Sequence, residues 1–558
     1  NVLYVGSDFG EDSLTDSGYP RTVKEWVRGT KIENAPVVFE GEKTDVSVGA
    51  QVIDQRNRGG GIFELRQRSL TFYTSRKWIR KIEPEHLLAY GDPLRLGIPP
   101  PPDFIELDIQ EDASMDLFSN LLLLSLRSDW TVGGTTYKRG SLISVDYDEF
   151  ITKGKDSVQY EALFTPTEDG RTALSTYTKT KYFLILSIMD NVKSKLVFMK
   201  LDEKNGALVD GGGDASPQIR SSHSAALDAW DSDLFWFTTS GYTQPSSLYL
   251  ADANRAMIDG VEKEQQTDEF AEPYVTEFLK SLPPQYDADD LKVEQHTVIS
   301  KDGTEIPYFL IVKKNVKMDG NTPTLLYGYG GFEISLTPKY IATSGLSWLE
   351  RGGAYVEANI RGGGEFGPAW HQAALKENRN KAYEDFIAVA ESLHSSGLCK
   401  PSTLGTRGGS NGGLLMGNML VQAPHLFGAI HCAVPLLDMK RYHILLAGAS
   451  WMAEYGDPST DDWKFLEQYS PYHNIDEKAS YPPILFTTST RDDRVHPAHA
   501  RKMVKRLQDK GEGKWPVYYY ENIEGGHGGA ADSKQSAFMT ALAYDFLWNE
   551  LSKGRSME

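Results

Sequence analysis

A glycine-rich segment with a central serine, Gly408-Gly409-Ser410-Asn411-Gly412, has the pattern G-x-S-x-G. Between a strand and a helix, this pattern places the serine at a sharp turn with its hydroxyl exposed for nucleophilic attack. Residues 403–407 are strand-like, and residues 414–420 are typical of a helix. The two outer glycines would let strand and helix approach closely, and the helix N-terminus would favour developing negative charge. The context therefore favours a nucleophile elbow over a plain glycine-rich turn.

A serine hydroxyl is a poor nucleophile unless a base takes its proton. With a G-x-S-x-G elbow, the expected chain order is serine, acid, histidine. A predicted strand at 483–488 leads into Asp492 and Asp493, of which we favour Asp492 and keep Asp493 as the alternate. His527 has two glycines on each side and is the only histidine after His499. We therefore predict that Ser410, Asp492 and His527 form a catalytic triad, in which the acid orients the imidazole and stabilises its charged form.

The oxygen of a tetrahedral intermediate also needs hydrogen-bond donors. The backbone N–H of Asn411, the residue after the nucleophile, is one candidate. The loop at 327–332, Tyr-Gly-Tyr-Gly-Gly-Phe, offers further backbone amides and the hydroxyl of Tyr329. Losing one such donor typically costs about 2.7–4 kcal/mol of transition-state stabilisation. The sequence thus places candidate donors both before and after the nucleophile.

The sequence of the first half of the chain predicts mainly β-strands. Up to about residue 254, short runs rich in Val, Ile, Leu, Tyr and Phe, such as 182–189 and 195–201, alternate with turn signals such as Gly133-Gly134 and Asn205-Gly206. Many short strands predict a sandwich, a barrel or a propeller. No clear repeat motif in the sequence distinguishes between these three architectures.

The second half changes character near residues 281–284, Ser-Leu-Pro-Pro. Predicted strands at 323–329, 354–360 and 483–488 alternate with predicted helices, one at 381–395 and another opened by Pro497. This alternation indicates a mostly parallel sheet covered by helices on both faces. We therefore predict an all-β domain at 1–282 and an α/β domain that carries the candidate triad at 283–558.

Five segments together resemble the prolyl oligopeptidase family: 327–332, 361–367, 408–415, 492–495 and 526–528, in the family's order. The resemblance spans about residues 301–551, while the first half matches only in its strand pattern. It implies an α/β-hydrolase catalytic domain with a doubly wound, mostly parallel sheet, plus an all-β propeller that admits short peptides. It also implies hydrolysis on the C-terminal side of proline, with Ser410, Asp492 and His527 as the triad and the Tyr329 hydroxyl and Asn411 amide as the oxyanion hole.

The resemblance further implies a substrate-binding set. Arg494 would bind a substrate backbone carbonyl, and Trp451 would stack on the proline ring, with Tyr455 four residues later. An indole face suits a flat, apolar ring. Phe332 and Val495 would complete the pocket. Segment 435–439 departs from the family's typical sequence, so the strictness of the proline preference stays open.

Other activities remain as alternatives. An oligopeptidase cutting after basic residues would need an acidic pocket residue, for which Glu454 is available, although Trp451 in the same segment argues against it. A transpeptidase or macrocyclase would share the acyl-enzyme and is also open. A dipeptidyl peptidase needs a glutamate pair that we do not identify. A catalytically dead propeller scaffold is disfavoured by the intact triad.

The amino-acid composition limits the kinds of partner that the protein can bind. The formal net charge of the 558 residues is -19, which excludes nucleic acid because nothing could neutralise a run of phosphates. The two cysteines, Cys399 and Cys432, lack zinc-type spacing, and we expect neither a metal nor a cofactor. No apolar run is long enough to span a bilayer. We expect a cytoplasmic monomer that acts on short proline-containing peptides, with a periplasmic or secreted location left open.

Length adds one expectation. About 280 residues of strand sequence, at ~40–50 residues per blade, give five to seven blades. Members of the family usually carry a longer N-terminal part and seven blades. We therefore expect that some of the propeller, or the segment that packs on the catalytic domain, is missing before residue 1.

Overall fold

The structure, a computed structural model, describes residues 2–89, 99–211, 218–255 and 276–553. The chain divides into two compact units, one of residues 1–239 and 247–281, and the other of residues 240–246 and 282–558. The loop 240–246 therefore groups with the second unit, which its sequence does not indicate.

The first unit is built from antiparallel sheets that follow one another along the chain. The described residues form one three-stranded and four four-stranded sheets, besides one separate hairpin. The three-stranded sheet contains β1 (Val2–Val5), β2 (Thr22–Val27) and β3 (Val37–Glu40). The first four-stranded sheet contains β4 (Ser47–Asp54), β5 (Ile62–Ser69), β6 (Ser75–Ile82) and β7 (Ile105–Glu106).

The second four-stranded sheet contains β8 (Ser114–Phe118), β9 (Leu121–Ser125), β12 (Leu142–Asp146) and β13 (Glu161–Phe164), with the hairpin β10 (Trp130–Val132) and β11 (Thr135–Tyr137) inserted in the chain. The third contains β14 (Thr172–Lys179), β15 (Phe183–Asp190), β16 (Lys193–Leu201) and β17 (Leu208–Asp210). The fourth contains β18 (Ser221–Ala226), β19 (Leu234–Ser240), β20 (Ser247–Asp252) and β21 (Thr276–Ser281). Two short helices are α1 (Pro84–Ala89) and α2 (Tyr147–Lys153).

Successive sheets of this unit pack face to face. Leu123 of β9 and Leu186 of β15 share one buried cluster, and Phe198 of β16 contacts Phe235 of β19 in the next one. β15 is buried over nearly its whole length because it packs against sheets on both faces. β15 and β16 confirm the strands predicted at 182–189 and 195–201. Four-stranded sheets stacked in chain order are the blades of a β-propeller.

The second unit is built around one eight-stranded sheet. Its strands are β22 (Leu291–Ile299), β23 (Glu305–Lys313), β24 (Thr324–Tyr327), β25 (Ala354–Ala358), β26 (Leu404–Gly409), β27 (Ala429–Ala433), β28 (Ile484–Ser489) and β29 (Val517–Asn522). Their order across the sheet is β22-β23-β25-β24-β26-β27-β28-β29. β22, β23 and β25 pair antiparallel, and every pairing from β25 to β29 is parallel.

Helices fill the connections between these strands. They are α3 (Ala342–Ser344), α4 (Pro368–Gln372), α5 (Asn380–Ser395), α6 (Asn411–Gln422), α7 (Met452–Tyr455), α8 (Trp463–Leu466), α9 (Ala498–Gly511) and α10 (Ser533–Leu551). Of the five apolar positions that predict α5, Tyr383, Phe386, Ala390 and Leu393 are buried, whereas Ile387 is half-buried. Within the described part of the chain, no helix has the length and apolar character to cross a bilayer.

The topology brings four loops to one edge of the sheet. β24, β26, β28 and β29 run parallel, so the segments that leave their carboxyl ends lie at the same edge. Those segments contain Tyr329, Ser410, Asp492 and His527 respectively. Ligands bind at this edge in open α/β sheets, and the predicted site residues are therefore gathered by strand direction alone.

Candidate active site

Ser410 lies in a strained turn between β26 and α6. Its φ of 58° and ψ of -118° fall outside the regions that non-glycine residues prefer. Such a conformation costs on the order of 1–3 kcal/mol and persists where the surroundings impose it. A Cβ on Gly408 would lie 2.4 Å from the carbonyl oxygen of Gly412, so strand and helix can approach this closely only with glycine at 408. The turn is the nucleophile elbow that the sequence predicts.

Gly412, the second glycine of the elbow, is not required for the close approach of strand and helix that the sequence predicts. A Cβ on Gly412 would meet its nearest neighbour, the carbonyl oxygen of Gly328, at 3.4 Å, which is ordinary contact. At Gly413 a Cβ would lie 2.7 Å from the side chain of Pro435. The close approach on the helix side therefore depends on Gly413, because the first turn of α6 packs against the segment that follows β27.

Ser410, His527 and Asp492 form a continuous hydrogen-bonded chain. Nδ1 of His527 lies 3.0 Å from Oδ1 and 2.8 Å from Oδ2 of Asp492. Nε2 of His527 lies 3.1 Å from Oγ of Ser410. Because a carboxylate only accepts hydrogen bonds, Nδ1 donates and Nε2 is left to accept the proton of the serine hydroxyl. This is the geometry of a nucleophile, its general base and the acid that orients the base.

Backbone amides hold Asp492 in place. Its Oδ1 accepts hydrogen bonds from the N–H groups of Arg494 and Val495, each 2.9 Å away. The side chain of Asp492 has no exposed surface, whereas Asp493 next to it is exposed. Of the two carboxylates left open by the sequence, the structure therefore brings Asp492 to the histidine.

The two candidate oxyanion donors flank Ser410. Asn411 is the first residue of α6, where backbone N–H groups lack intrahelical acceptors. The side chain of Tyr329 lies next to that of Ser410. Burial raises the pKa of Tyr329 to about 12, and the neighbouring Arg379 and Ser410 offset only part of this rise. The phenol therefore stays protonated at neutral pH and can donate to a developing oxyanion.

The predicted pocket residues share one hydrophobic cluster. The rings of Phe332 and Tyr455 contact edge to face, with centroids 5.7 Å apart. Trp451 and Val495 belong to the same cluster and are 6 % and 2 % exposed. Tyr455 has no exposed surface, and its hydroxyl donates to Oδ1 of Asn411 over 2.8 Å. Tyr455 is therefore shielded from solvent and supports Phe332 and Asn411 from within the core.

Arg494 differs from the rest of the set because it is exposed. Its guanidinium pairs with no carboxylate in the part of the chain that the structure describes. Five N–H donors are consequently available beside Asp492 for a carbonyl group.

Sequence reasoning missed a buried charged cluster next to the oxyanion donors. Glu454 accepts hydrogen bonds at Oε1 from the Phe332 amide (3.0 Å) and from Nη1 of Arg379 (2.8 Å). Its Oε2 lies 2.7 Å from Nε2 of His371. Glu454, Arg379 and His371 are all completely buried. Their separation along the chain leaves no local pattern that could have revealed the cluster.

Neither cysteine is available as a nucleophile. Both Cys399 and Cys432 are free and buried. Burial raises the pKa of the Cys399 thiol to about 12 and that of Cys432 still higher. The described residues contain no group of three or more His, Cys, Asp or Glu side chains arranged to hold a metal ion.

Comparisons with known proteins agree in the type of protein that they find. Residues 341–554 match the model of the prolyl oligopeptidase family. An uncharacterized peptidase of Sinorhizobium fredii is 37% identical over 569 residues, covering 99% of this chain and 70% of that protein. The prolyl endopeptidase of Elizabethkingia meningoseptica is 36% identical over 313 residues, covering 56% and 44% respectively. The solved structure of a post-proline cleaving enzyme from Rickettsia typhi superimposes with a TM-score of 0.86 at 30% identity, covering 99% of this chain and 74% of that one.

Proposed function

The chain belongs to the prolyl oligopeptidase family, and from that premise we propose that it is a serine oligopeptidase that hydrolyses short peptides on the C-terminal side of proline. The observation that carries the proposal is the chain of hydrogen bonds from Ser410 through His527 to Asp492. We propose a catalytic domain over residues 283–558 and a propeller over residues 1–282, apart from the loop 240–246, which groups with the catalytic unit.

The proposed reaction is acyl transfer through a covalent intermediate. Oγ of Ser410 attacks the carbonyl carbon while Nε2 of His527 takes the hydroxyl proton, and Asp492 stabilises the imidazolium that forms. The oxyanion accepts hydrogen bonds from the Asn411 amide and the Tyr329 hydroxyl. His527 then gives its proton to the leaving amine, and the amine departs. Water, activated by the same imidazole, hydrolyses the acyl-enzyme and restores Ser410.

A preference for proline is supported by the chemistry of the adjoining wall. Half-buried Phe332 packs on the buried cluster that contains Trp451 and Val495, and none of the three carries a charge. A pyrrolidine ring is compact, rigid and apolar, so it can be desolvated against such a wall at little cost. The exposed guanidinium of Arg494 would hold a backbone carbonyl of the substrate and so set the register of the scissile bond.

Cleavage after basic residues is disfavoured by the surroundings of Glu454. Both oxygens of this carboxylate already have partners, namely Arg379 and Phe332 on one oxygen and His371 on the other. Drawing Glu454 away to pair a substrate lysine or arginine would leave the buried Arg379 without its carboxylate, which typically costs 3–5 kcal/mol. A transpeptidase would use the same acyl-enzyme with an amine in place of water.

For the substrate and setting, we propose short proline-containing peptides, a monomeric state and the cytoplasm. The net charge of -19 suits a protein that stays soluble without self-association. Two free, buried thiols suit a reducing compartment. Light scattering in solution measures the oligomeric state, and a dimer would overturn that part of the proposal.

A peptide panel tests the proposed activity. Peptides of 6 to 10 residues, matched except for Pro, Ala, Arg or Glu at one central position, are incubated with the wild type and with Ser410→Ala, and the products are identified by mass spectrometry. We expect cleavage after proline in the wild type and none with Ser410→Ala. Preferential cleavage after arginine would reject the specificity, cyclic or ligated products would identify a transpeptidase, and no cleavage by folded protein would support a scaffold.

A further inference from the structure

Three fully buried ionisable side chains lie behind the oxyanion donors. Glu454 is on α7, Arg379 immediately precedes α5, and His371 is on α4. Removing such groups from water costs several kcal/mol per ion, and apolar residues of similar volume often serve stability equally well. A cluster of this kind next to a catalytic loop therefore calls for a role other than stability.

The cluster connects both oxyanion donors through one ring of hydrogen bonds. Starting at Glu454, Oε1 accepts from Arg379, Arg379 donates to Oδ1 of Asn411, and Nδ2 of Asn411 donates to the carbonyl oxygen of Tyr329 over 2.7 Å. The chain from Tyr329 then leads to Phe332, whose amide donates back to Oε1 of Glu454. The loop 329–332 is thus fixed at one end directly to Asn411, the first residue of α6, and at the other end to Glu454, which is linked to Asn411 through Arg379.

This loop needs such support because its backbone is strained. Phe332 and Glu333 both adopt positive φ, 56° and 57°, although neither is a glycine. Each such residue costs on the order of 1–3 kcal/mol, and its conformation persists only where the surroundings impose it. The hydrogen bond from the Phe332 amide to Glu454 lies at the first of these two residues. If the loop relaxed, the Tyr329 hydroxyl would move away from the position of the oxyanion.

We infer that Glu454 is a positioning residue for the oxyanion hole, acting with Arg379 through the loop 329–332 and Asn411. The inference rests on the proposed function of the same site. Glu454 acts through its hydrogen bonds with Phe332 and Arg379, and its effect is to keep the two donors at a fixed separation before the reaction begins. Donors that are already in place stabilise a transition state without the cost of reorganisation.

The test is a double-mutant cycle between Glu454→Gln and Tyr329→Phe, with kcat and KM measured on the best-cleaved peptide of the panel. Tyr329→Phe alone removes one donor and should lower kcat about 10²–10³-fold. We expect Glu454→Gln to lower kcat by roughly 10-fold or more, with KM changed less than about threefold. Because Glu454 acts through Tyr329, Tyr329→Phe should cost at least about fivefold less in the Glu454→Gln background than in the wild type.

A matched control separates positioning from general stability. Glu357 on β25 is an equally buried carboxyl in the same unit, and its oxygens accept from the hydroxyls of Tyr242 and Tyr355. Glu357→Gln should keep kcat near the wild-type value and the full cost of Tyr329→Phe. Arg379→Lys, which keeps the charge but loses the forked geometry, replaces Glu454→Gln in the cycle if that variant does not fold.

The outcomes distinguish the inference from the proposed function. Wild-type kcat in folded Glu454→Gln, or additive effects of the two substitutions, would overturn the inference alone. So would an equal loss of kcat in Glu357→Gln. If the wild type cleaved no peptide of the panel, the proposed function and the inference would both fail.

Discussion

At the scale of single residues, Asp492 shows how a carboxylate is held so that it orients a general base. Its Oδ1 accepts hydrogen bonds from two backbone amides, and both of its oxygens lie within hydrogen-bond distance of Nδ1 of His527, so neither its position nor its role as acceptor is free to vary. The imidazole it faces is therefore held in the tautomer that can take a proton from Ser410. Asp493, one residue away and exposed, has none of these contacts to His527.

The different surroundings of Asp492 and Asp493 predict different effects of replacing each of them by asparagine. Asp492→Asn should lower kcat about 10⁴-fold, because an amide at this position favours the wrong tautomer of His527. KM should change little, since Asp492 does not bind the substrate. Asp493→Asn serves as the control and should stay within about threefold of the wild type. Steady-state kinetics on a proline peptide measures both variants, and equal losses in the two would contradict the assignment of Asp492.

The site residues that could be predicted from the sequence lie in local motifs, whereas those that were missed have partners far away in the chain. Ser410 lies in a five-residue pattern whose glycines have a local steric reason, and His527 lies between glycines after the last strand. Glu454 has no such local signature, because its partners Arg379 and Phe332 are 75 and 122 residues away. Its carboxylate could be read from the sequence only as a possible partner for a basic substrate. The fold was needed to show that its oxygens are already occupied.

At the scale of elements, the elbow between β26 and α6 depends more on Gly408 than on Gly412. Gly408→Ala should destabilise the protein by about 1–3 kcal/mol, because its Cβ would overlap the carbonyl oxygen of Gly412. The shift should also lower kcat, by roughly 10²-fold for a displacement near 1 Å. Gly412→Ala meets only ordinary contacts and should stay close to wild-type stability.

Thermal unfolding and kcat of the two glycine variants decide between these expectations. The substitutions are chemically identical and four residues apart, so composition and overall charge do not differ. If Gly412→Ala proved as damaging as Gly408→Ala, the elbow would not be set by the contact described above.

The loop after β25 contains a carboxyl with a pH-dependent effect on stability. Glu365 is 1 % exposed, and burial raises its pKa from 4.5 to about 7, against the opposing hydrogen bonds from Leu336 and Asn359. Between pH 4.5 and 7 the folded chain keeps this proton and the unfolded chain loses it. Raising the pH through that window therefore lowers the free energy of unfolding, by roughly 1–3 kcal/mol, with no further loss above it.

Glu365→Gln removes the titration while keeping the shape of the side chain. We expect the unfolding temperature of the wild type to fall relative to that of Glu365→Gln as the pH rises from 5 to 8. Differential scanning calorimetry at a series of pH values measures this difference. A constant difference between the two proteins across that range would rule out Glu365 as the titrating group.

Most of the helices and strands discussed above could be predicted from the sequence. The buried strand at 484–489 and the helices α5 and α9 follow from apolar runs and from a 3.6-residue period, respectively. The short helix α2 was not predicted, although Asp146 accepts from the Glu149 amide and forms its N-cap. A single capping residue before seven helical positions is a weak signal within a strand-rich region. The ends of the predicted strands differ from the observed ends by at most two residues, because strand ends depend on pairing.

At the scale of the whole molecule, the change from strands to alternating strands and helices near residue 282 was visible in the sequence. The membership of loop 240–246 in the second unit was not. Tyr242 in this loop is 1 % exposed and donates to Glu357, 115 residues later. In the sequence it is one tyrosine in an ordinary turn between two strands, so only its tertiary contacts reveal where it packs.

The measurement that tests the account most directly is the site of covalent labelling by an organophosphonate. Intact-mass spectrometry followed by peptide mapping should find one adduct per chain, on Ser410, and none in Ser410→Ala. His527→Ala, which lacks the base, should label at least about 10²-fold more slowly. A folded wild type that remained unlabelled, or an adduct that persisted in Ser410→Ala, would contradict the assignment of Ser410 as the nucleophile.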